Sequence, residues 1–260
     1  NGRVTAVDTT GGRVRGVTIR TAGGEQRIAT GGFVNAAGPL VGEVGRLLGV
    51  DLPVFNELHG KVAINDPLGI VPRDAPLLIW SDPVTLPWAD EEREALAADD
   101  ETRWLTEPFP AGVHFRPEGG AGARTLLLLW TYDVKPAPAV WPTTFEPEYA
   151  EVVVRGLARM VPGLAAYAGN FGRPIVDGGY YCKTQENRPL IGPLPVDGAY
   201  VLGALSGYGI MASQAGADLL AAYIAGSTRP GYAPAFALSR YDDPAYRALL
   251  AAWDPTTGQL

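Results

Sequence analysis

The sequence predicts an α/β chain whose central part is α+β. Two segments, near residues 33–49 and 199–226, run from a β-type strand through small residues into a helical pattern. Between about residues 51 and 176, β-type segments recur between turns with few helices, which is typical of an antiparallel or mixed sheet. The 260 residues are enough to bury a sizeable core.

The first part of the chain predicts a β-hairpin followed by a strand and a helix. β-branched runs at 3–9 and 13–20 are joined by a Thr-Gly-Gly turn, and residues 33–36 form a short buried strand. Apolar residues at helical spacing predict a helix over 39–48, which Gly49 ends. Because the chain opens with Asn1 inside this hairpin, we expect the natural protein to begin upstream.

The rest of the chain predicts more strands than helices. An acidic stretch over 89–101 and an amphipathic stretch over 148–160 predict two helices. Predicted strands cover 61–65, 77–82, 112–118, 125–132 and 199–205.

The segment Ser-Gly-Tyr-Gly-Ile-Met starting at Ser206 places glycines directly before a helix. The first four N–H groups of a helix have no intrahelical partner and, with the helix dipole, attract negative charge. Ser206 is the predicted N-cap, and Met211, Ala215, Leu219 and Tyr223 form one apolar stripe. In the alternative interpretation the glycines serve only the turn. The third glycine of the G-x-G-x-x-G fingerprint is absent.

Composition and charge weigh against several classes of protein. The net charge of −7 disfavours a nucleic-acid partner, and no apolar run reaches the length of a membrane span. Cys182 is the single cysteine, which fits a reducing compartment and predicts a cytoplasmic location. His59, His114 and Cys182 lack metal-ligand spacing, and no G-x-S-x-G motif indicates a serine hydrolase.

Three segments in order carry a family resemblance. The stretches FVNAAG, GVHFRPEGG and ENRPLIGPLPVDGAYVLGALSGYGIMAS resemble the C-terminal two-thirds of flavoproteins of the D-amino-acid oxidase family. That family includes glycine and sarcosine oxidases and dimethylglycine dehydrogenase-like enzymes.

The resemblance implies two domains. Residues 1–50 and 177–260 would form part of a glutathione-reductase-type FAD-binding domain, and residues 51–176 an antiparallel-sheet substrate domain. The family's G-x-G-x-x-G loop lies before any residue of this chain. We therefore expect this truncated chain by itself to bind FAD weakly and to be inactive.

The resemblance also implies which residues bind FAD. Backbone N–H groups at the start of the last long helix would stabilise negative charge at the pyrimidine edge of the flavin. Aligned with the family, the FAD-binding residues are Ala36, Ala37, Gly38, Arg188, Pro189, Leu190, Ile191, Gly203, Ser206, Gly207, Tyr208, Gly209, Ile210 and Met211.

Tyr208, Lys183 and Tyr181 are the candidate catalytic residues, with structural packing as the alternative for each. Tyr208 stands where relatives often have histidine, and the other two precede the flavin-side strand. Arg116 matches a recurrent family feature, and its alternative is an exposed arginine at a strand end. For His59 and Lys61 we expect a surface or core role.

Two departures from the family pattern concern how FAD is bound and which type of oxidoreductase the chain belongs to. Some relatives attach flavin through a cysteine at the position of Gly179, so this chain is predicted to bind FAD non-covalently. Cys182 lies three residues later and is expected to be a buried small residue. Sarcosine oxidases carry a lysine at the position of Met211, so dehydrogenase activity remains open beside oxidase activity.

The leading functional hypothesis is an FAD-dependent oxidoreductase acting on the C–N bond of a small amine or amino acid. One alternative is a non-catalytic subunit or binding module that keeps the fold. A second alternative is a flavoenzyme acting on a hydroxy acid or polyol. The sequence is compatible with an oligomer and does not identify the electron acceptor.

Overall fold

The structure, a computed structural model, describes residues 2–253. These residues divide into two compact units. Unit 1 contains 2–57, 136–139 and 180–253, and unit 2 contains 58–135 and 140–179. The chain therefore passes between units at 57/58, 135/136, 139/140 and 179/180. The sequence predicted two passages, at 50/51 and 176/177. Residues 1 and 254–260 of the predicted ranges lie outside the described part of the chain.

The elements follow in chain order. The strands are β1 (Gly2–Thr10), β2 (Arg13–Thr21), β3 (Gly24–Ala29), β4 (Phe33–Asn35), β5 (Phe55–Asn65), β6 (Leu78–Ile79), β7 (His114–Glu118), β8 (Thr125–Leu129), β9 (Ile175–Lys183), β10 (Leu190–Pro193) and β11 (Ala199–Gly203). The helices are α1 (Val41–Arg46), α2 (Asp90–Ala98), α3 (Tyr149–Ala158), α4 (Gly209–Ala225) and α5 (Pro244–Ala251).

Unit 1 contains two three-stranded sheets. The first is antiparallel in the order β1-β2-β3, which confirms the predicted hairpin. The second has the order β10-β11-β4, with β11 antiparallel to β10 and parallel to β4. One cluster of its core includes Val14, Val41, Leu190 and Val201, all fully buried, and a second cluster contains Leu219 and Leu220 of α4.

Unit 2 is built on a five-stranded sheet in the order β6-β7-β8-β5-β9. Pairing is antiparallel between β5 and β8, β7 and β8, and β6 and β7, as the sequence predicted. Leu126 and Leu128 alternate with partly buried leucines, so one face of β8 enters the core. In α3 every residue except Glu151 is buried, so the helix is enclosed by this core.

Several predicted bounds were wrong. The predicted strand over 77–82 is reduced to Leu78–Ile79. The sequence analysis also missed α5. Asp243 caps that helix by accepting a hydrogen bond from the Ala245 N–H at 2.8 Å. Ser206 does not cap α4, because residues 206–208 form a 3₁₀ turn and α4 begins only at Gly209. Met211 is 79% exposed and lies outside the apolar contact surface, since burial along α4 begins at Gly216.

Over residues 2–253, no helix is long and apolar enough to cross a membrane.

Replacing Gly156 with alanine is expected to destabilise unit 2. A methyl group at this position of α3 would overlap the indole ring of Trp130, which is itself fully buried. Overpacking of this kind costs about 1–3 kcal/mol, which exceeds the roughly 1 kcal/mol that alanine gains over glycine in a helix. Thermal and denaturant unfolding measure the change. Gly122→Ala is the matched control, because nothing lies within 4 Å of the position that its added methyl group would take. Equal stability of the two variants would contradict this packing.

Candidate functional site

Two neighbouring strands of unit 1 end at the same edge of their sheet. β4 and β11 are parallel, with Phe33 opposite Ala199 and Asn35 opposite Val201. Residues 36–38 follow the first strand, and residues 204–208 follow the second. The crevice outside the carboxyl ends of parallel strands is where open α/β sheets bind ligands. The structure therefore brings two of the sequence-predicted segments to one place.

Asn35 fixes the turn after β4. It is 1% exposed, its Nδ2 donates to the Val41 carbonyl at 2.8 Å, and its Oδ1 accepts from the Ala37 N–H at 3.4 Å. Gly38 follows with a φ of +56°, and no atom lies within 4 Å of where a side chain would begin. The backbone of Ala36, Ala37 and Gly38 is thus held rigidly while one side of Gly38 stays open to a ligand.

The turn after β11 combines close packing with backbone strain. A methyl group at Gly203 would lie 2.9 Å from Val41 Cγ2, so glycine is needed where β11 passes α1. Ala204 and Ser206 are non-glycine residues with φ values of +54° and +50°. Left-handed backbone at non-glycine residues costs free energy and concentrates at functional sites. The strain marks this turn as a candidate site.

The start of α4 is open to a ligand. Its first turn has no side-chain cap, and Ile210 and Met211 are 94% and 79% exposed. The helix start therefore offers backbone N–H donors and a positive dipole end beside two exposed apolar side chains. This set of groups fits a ligand that combines a flat apolar ring with an edge that takes up negative charge, as a flavin does.

Tyr181 and Tyr208 lie on either side of this turn. The Tyr181 ring occupies the space that a side chain at Gly207 would need. The Tyr208 hydroxyl donates to the Asn187 carbonyl at 2.6 Å. Burial raises the pKa of both phenols, and the charge of Glu186 raises that of Tyr208 further, so both are neutral near pH 7. Neither tyrosine is a base in this state.

A buried ion pair that the sequence did not reveal holds the loop before β10. Arg240 donates to Glu186 Oε1 from Nε at 3.0 Å and from Nη2 at 2.8 Å. The Tyr241 and Tyr246 hydroxyls donate to the same oxygen, each at 2.9 Å. Arg240 also donates to the carbonyl of Pro189 at 3.0 Å. The guanidinium therefore fixes both the acid and the backbone of the loop.

The pKa of Glu186 reflects this network. Burial raises it, but hydrogen bonds from the backbone, Arg240 and Tyr246, together with the Arg240 charge, outweigh burial and leave the pKa below the ordinary glutamate value. The only sequence signal was an acid two positions before Arg188, the first of the predicted FAD-binding residues in this segment. Its partner lies 54 positions along the chain and was not predictable.

The predicted FAD-binding residues 188–191 have partners within unit 1. Leu190 and Ile191 are buried, and their side chains belong to the two core clusters of unit 1. The Arg188 guanidinium lies 6.0 Å from the ring centroid of Tyr246. The Pro189 carbonyl is already occupied by Arg240.

Lys183 and Cys182 lie in the interior of unit 1. The Lys183 ammonium pairs with the Glu57 carboxylate at 3.0 Å, and both side chains are about 95% buried or more. This buried pairing favours structural packing, the alternative role that the sequence left open for Lys183. Burial raises the pKa of the Cys182 thiol to about 11, which makes it a poor nucleophile.

Other residues considered in the sequence have local partners. Arg116 pairs with Glu118 at 2.6 Å on the surface of unit 2. His59 Nδ1 lies 2.8 Å from Thr131 Oγ1, within hydrogen-bond distance. Among the described residues, no group of three or more His, Cys, Asp or Glu side chains could hold a metal ion.

An open helix start at the ends of two parallel strands defines a cofactor-binding α/β domain. The family model described as FAD dependent oxidoreductase (DAO) matches residues 1–223. The chain belongs to this family of FAD-dependent oxidoreductases, as its resemblance to D-amino-acid oxidase flavoproteins predicted.

Solved structures share the fold at low sequence identity. L-proline dehydrogenase from P. horikoshii is 17% identical with a TM-score of 0.60, and the match covers 93% of this chain and 54% of that one. Iminodiacetate oxidase from Chelativorans sp. BNC1 is 15% identical with a TM-score of 0.59, covering 91% and 52%. Glycine oxidase from Geobacillus kaustophilus is 18% identical with a TM-score of 0.58, covering 92% and 52%. The chain thus spans about half the length of these structures. No curated protein matches it.

Replacing Arg240 with methionine is expected to cost about 3–5 kcal/mol, because the carboxylate of Glu186 would remain buried without its cation. The double variant Arg240→Met/Glu186→Leu should recover part of that loss, since no buried charge remains. Denaturant unfolding measures both. A single variant as stable as the wild type would contradict the role of the pair.

The same pair gives a pH signature. The folded-state pKa of Glu186 lies below the unfolded value. The ionised carboxylate therefore adds to the free energy of unfolding above about pH 4.3, and this stabilisation is lost as the pH falls through the folded pKa. The free energy of unfolding of the wild type should therefore fall more steeply below about pH 4.3 than that of the double variant.

Proposed function

We propose that this protein oxidises the C–N bond of a small amine or amino acid to an imine, which water then hydrolyses. The observation that carries the proposal is the uncapped start of α4 at the ends of two parallel strands, in a chain of an FAD-dependent family. Solved structures with this fold are named for proline, glycine and iminodiacetate. Those names support an amine or amino-acid substrate.

The backbone N–H groups of Gly209, Ile210 and Met211 have the central role in this proposal. They would hold the pyrimidine edge of FAD, which when bound would supply the hydride-accepting chemistry and take up negative charge there. Fixed N–H donors and the dipole of α4 stabilise such charge without reorganising during the reaction. The exposed side chains of Ile210 and Met211 would pack against the apolar part of the cofactor.

The remaining segments would position the cofactor through their backbone. Residues 36–38 are held by Asn35, and residues 188–191 are held by Arg240. Tyr208 is a positioning residue, because its hydroxyl bond to Asn187 ties the start of α4 to this loop. Tyr181, packed against Gly207, is the second candidate for contact with the cofactor or substrate.

We propose that FAD is bound non-covalently. Gly179 offers no side chain for attachment, and the thiol of Cys182 is buried and protonated near pH 7. The single free thiol also suits the cytoplasmic location that the sequence predicts.

The visible spectrum of the protein expressed from its full gene tests the function. We expect a flavin absorption band that bleaches anaerobically when an N-methyl amino acid is added. The flavin should separate from the polypeptide in SDS, since no covalent link is expected. A correctly folded but colourless protein would overturn the proposal. If only hydroxy acids or polyols bleached the flavin band, the substrate would be an alcohol and not an amine.

Met211→Glu tests the role of the helix start. Negative charge in the first turn of α4 should leave the free energy of unfolding unchanged or raise it by about 0.3–1 kcal/mol, because it complements the dipole. The same charge should weaken FAD binding by at least about 5-fold, corresponding to about 1 kcal/mol, because it competes for the N–H groups. Met211→Gln is the neutral control of similar size. Equal FAD affinities of the two variants, measured by fluorescence titration, would contradict this placement.

A further inference from the structure

A cavity of about 420 Å³ lies within unit 2 and is not used in the proposed function. Pockets that bind small molecules have volumes of roughly 300–1,000 Å³. The lining side chains are aromatic or acidic, apart from two prolines, and none is a cation. They are Trp104, Pro108, Phe109, Pro110, Tyr132, Asp133 and Glu146.

The cavity lies on the helical side of the unit 2 sheet. Tyr132 packs against Tyr149 of α3, with ring centroids 5.6 Å apart. Neighbouring Thr131 is engaged elsewhere, with its Oγ1 2.8 Å from His59 Nδ1.

Three aromatic rings form one wall. Trp104 lies 5.7 Å from Phe109 and 6.2 Å from Tyr132, and the Phe109 and Tyr132 rings meet edge to face at 5.3 Å. Trp104 is 39% exposed, so its ring is accessible. Aromatic faces attract cations electrostatically, and tryptophan does so most strongly.

Carboxylates supply the matching charge. Asp133 and Glu146 line the cavity. Among the described residues, the one cation paired with either carboxylate is Lys135, whose Nζ lies 2.6 Å from Asp133 Oδ2. The Lys135 side chain is mostly exposed. Two carboxylates and one ammonium leave a net charge of −1 at the rim. Burial raises the pKa of Tyr132, and the negative charges of Glu146, Asp133 and Glu148 raise it further, which is consistent with a negative potential here.

We propose that this cavity binds a small protonated, methylated amine. The methyl groups would lie on the aromatic wall, and the ammonium charge would face Glu146 and Asp133. The site does not depend on FAD, so it can be tested separately from the proposed function.

Calorimetric titration with trimethylammonium chloride tests the site in the full chain. We expect saturable binding that weakens with added salt, and no binding of tert-butanol, which has a similar shape but no charge. Equal binding of tert-butanol and trimethylammonium would overturn the proposal, because the cavity would then be only an apolar crevice. An absence of trimethylammonium binding would also overturn it.

Two variants assign the contacts. Trp104→Leu should weaken binding about 2- to 5-fold, the range expected for an exposed cation–π contact. Glu146→Gln should weaken it through loss of charge. Glu94→Gln removes the same charge from α2, away from the cavity, and should leave binding unchanged. Both glutamates are exposed, so these two variants should fold normally. Equal affinity of the Glu146 and Glu94 variants would contradict the assignment.

Discussion

The buried ion pair between Arg240 and Glu186 is the constraint on which the candidate flavin site depends. It joins a segment near the end of the described chain to the loop before β10, and the same guanidinium holds the Pro189 carbonyl. On its other side the loop accepts a hydrogen bond from Tyr208, directly before α4. A buried charge without its partner is strongly destabilising, so the pair favours keeping this loop in place beside the start of α4.

The site combines rigid support with an open end. Asn35, Gly203 and the Tyr181–Gly207 contact fix the two turns after the parallel strands. The first turn of α4, by contrast, has no cap and exposes Ile210 and Met211. A site that stabilises developing charge needs donors that are fixed before the reaction and not already satisfied by the protein. The described part of unit 1 has both properties.

The sheet of unit 2 supports both a packed core and the proposed amine-binding cavity. Alternation along β8 sends Leu126 and Leu128 into the core under α3. Beyond the strand, Tyr132 packs against Tyr149 of α3 and lines the cavity. The tight contact of Gly156 with Trp130 keeps α3 close to the sheet and so shapes the cavity's neighbourhood.

The sequence by itself determined the local elements and the family. Alternation predicted the β1–β2 hairpin and β8, helical spacing predicted α3, and the order of short motifs predicted an FAD-dependent oxidoreductase. Each of those signals is contained in short stretches of sequence, and the family signal adds only the order of three such stretches along the chain. Only the tertiary structure decided that Lys183 pairs with Glu57, 126 positions away, and that Arg240 pairs with Glu186. It also decided that Met211 is exposed, because burial along α4 depends on where the sheet ends and not on the helix's own periodicity.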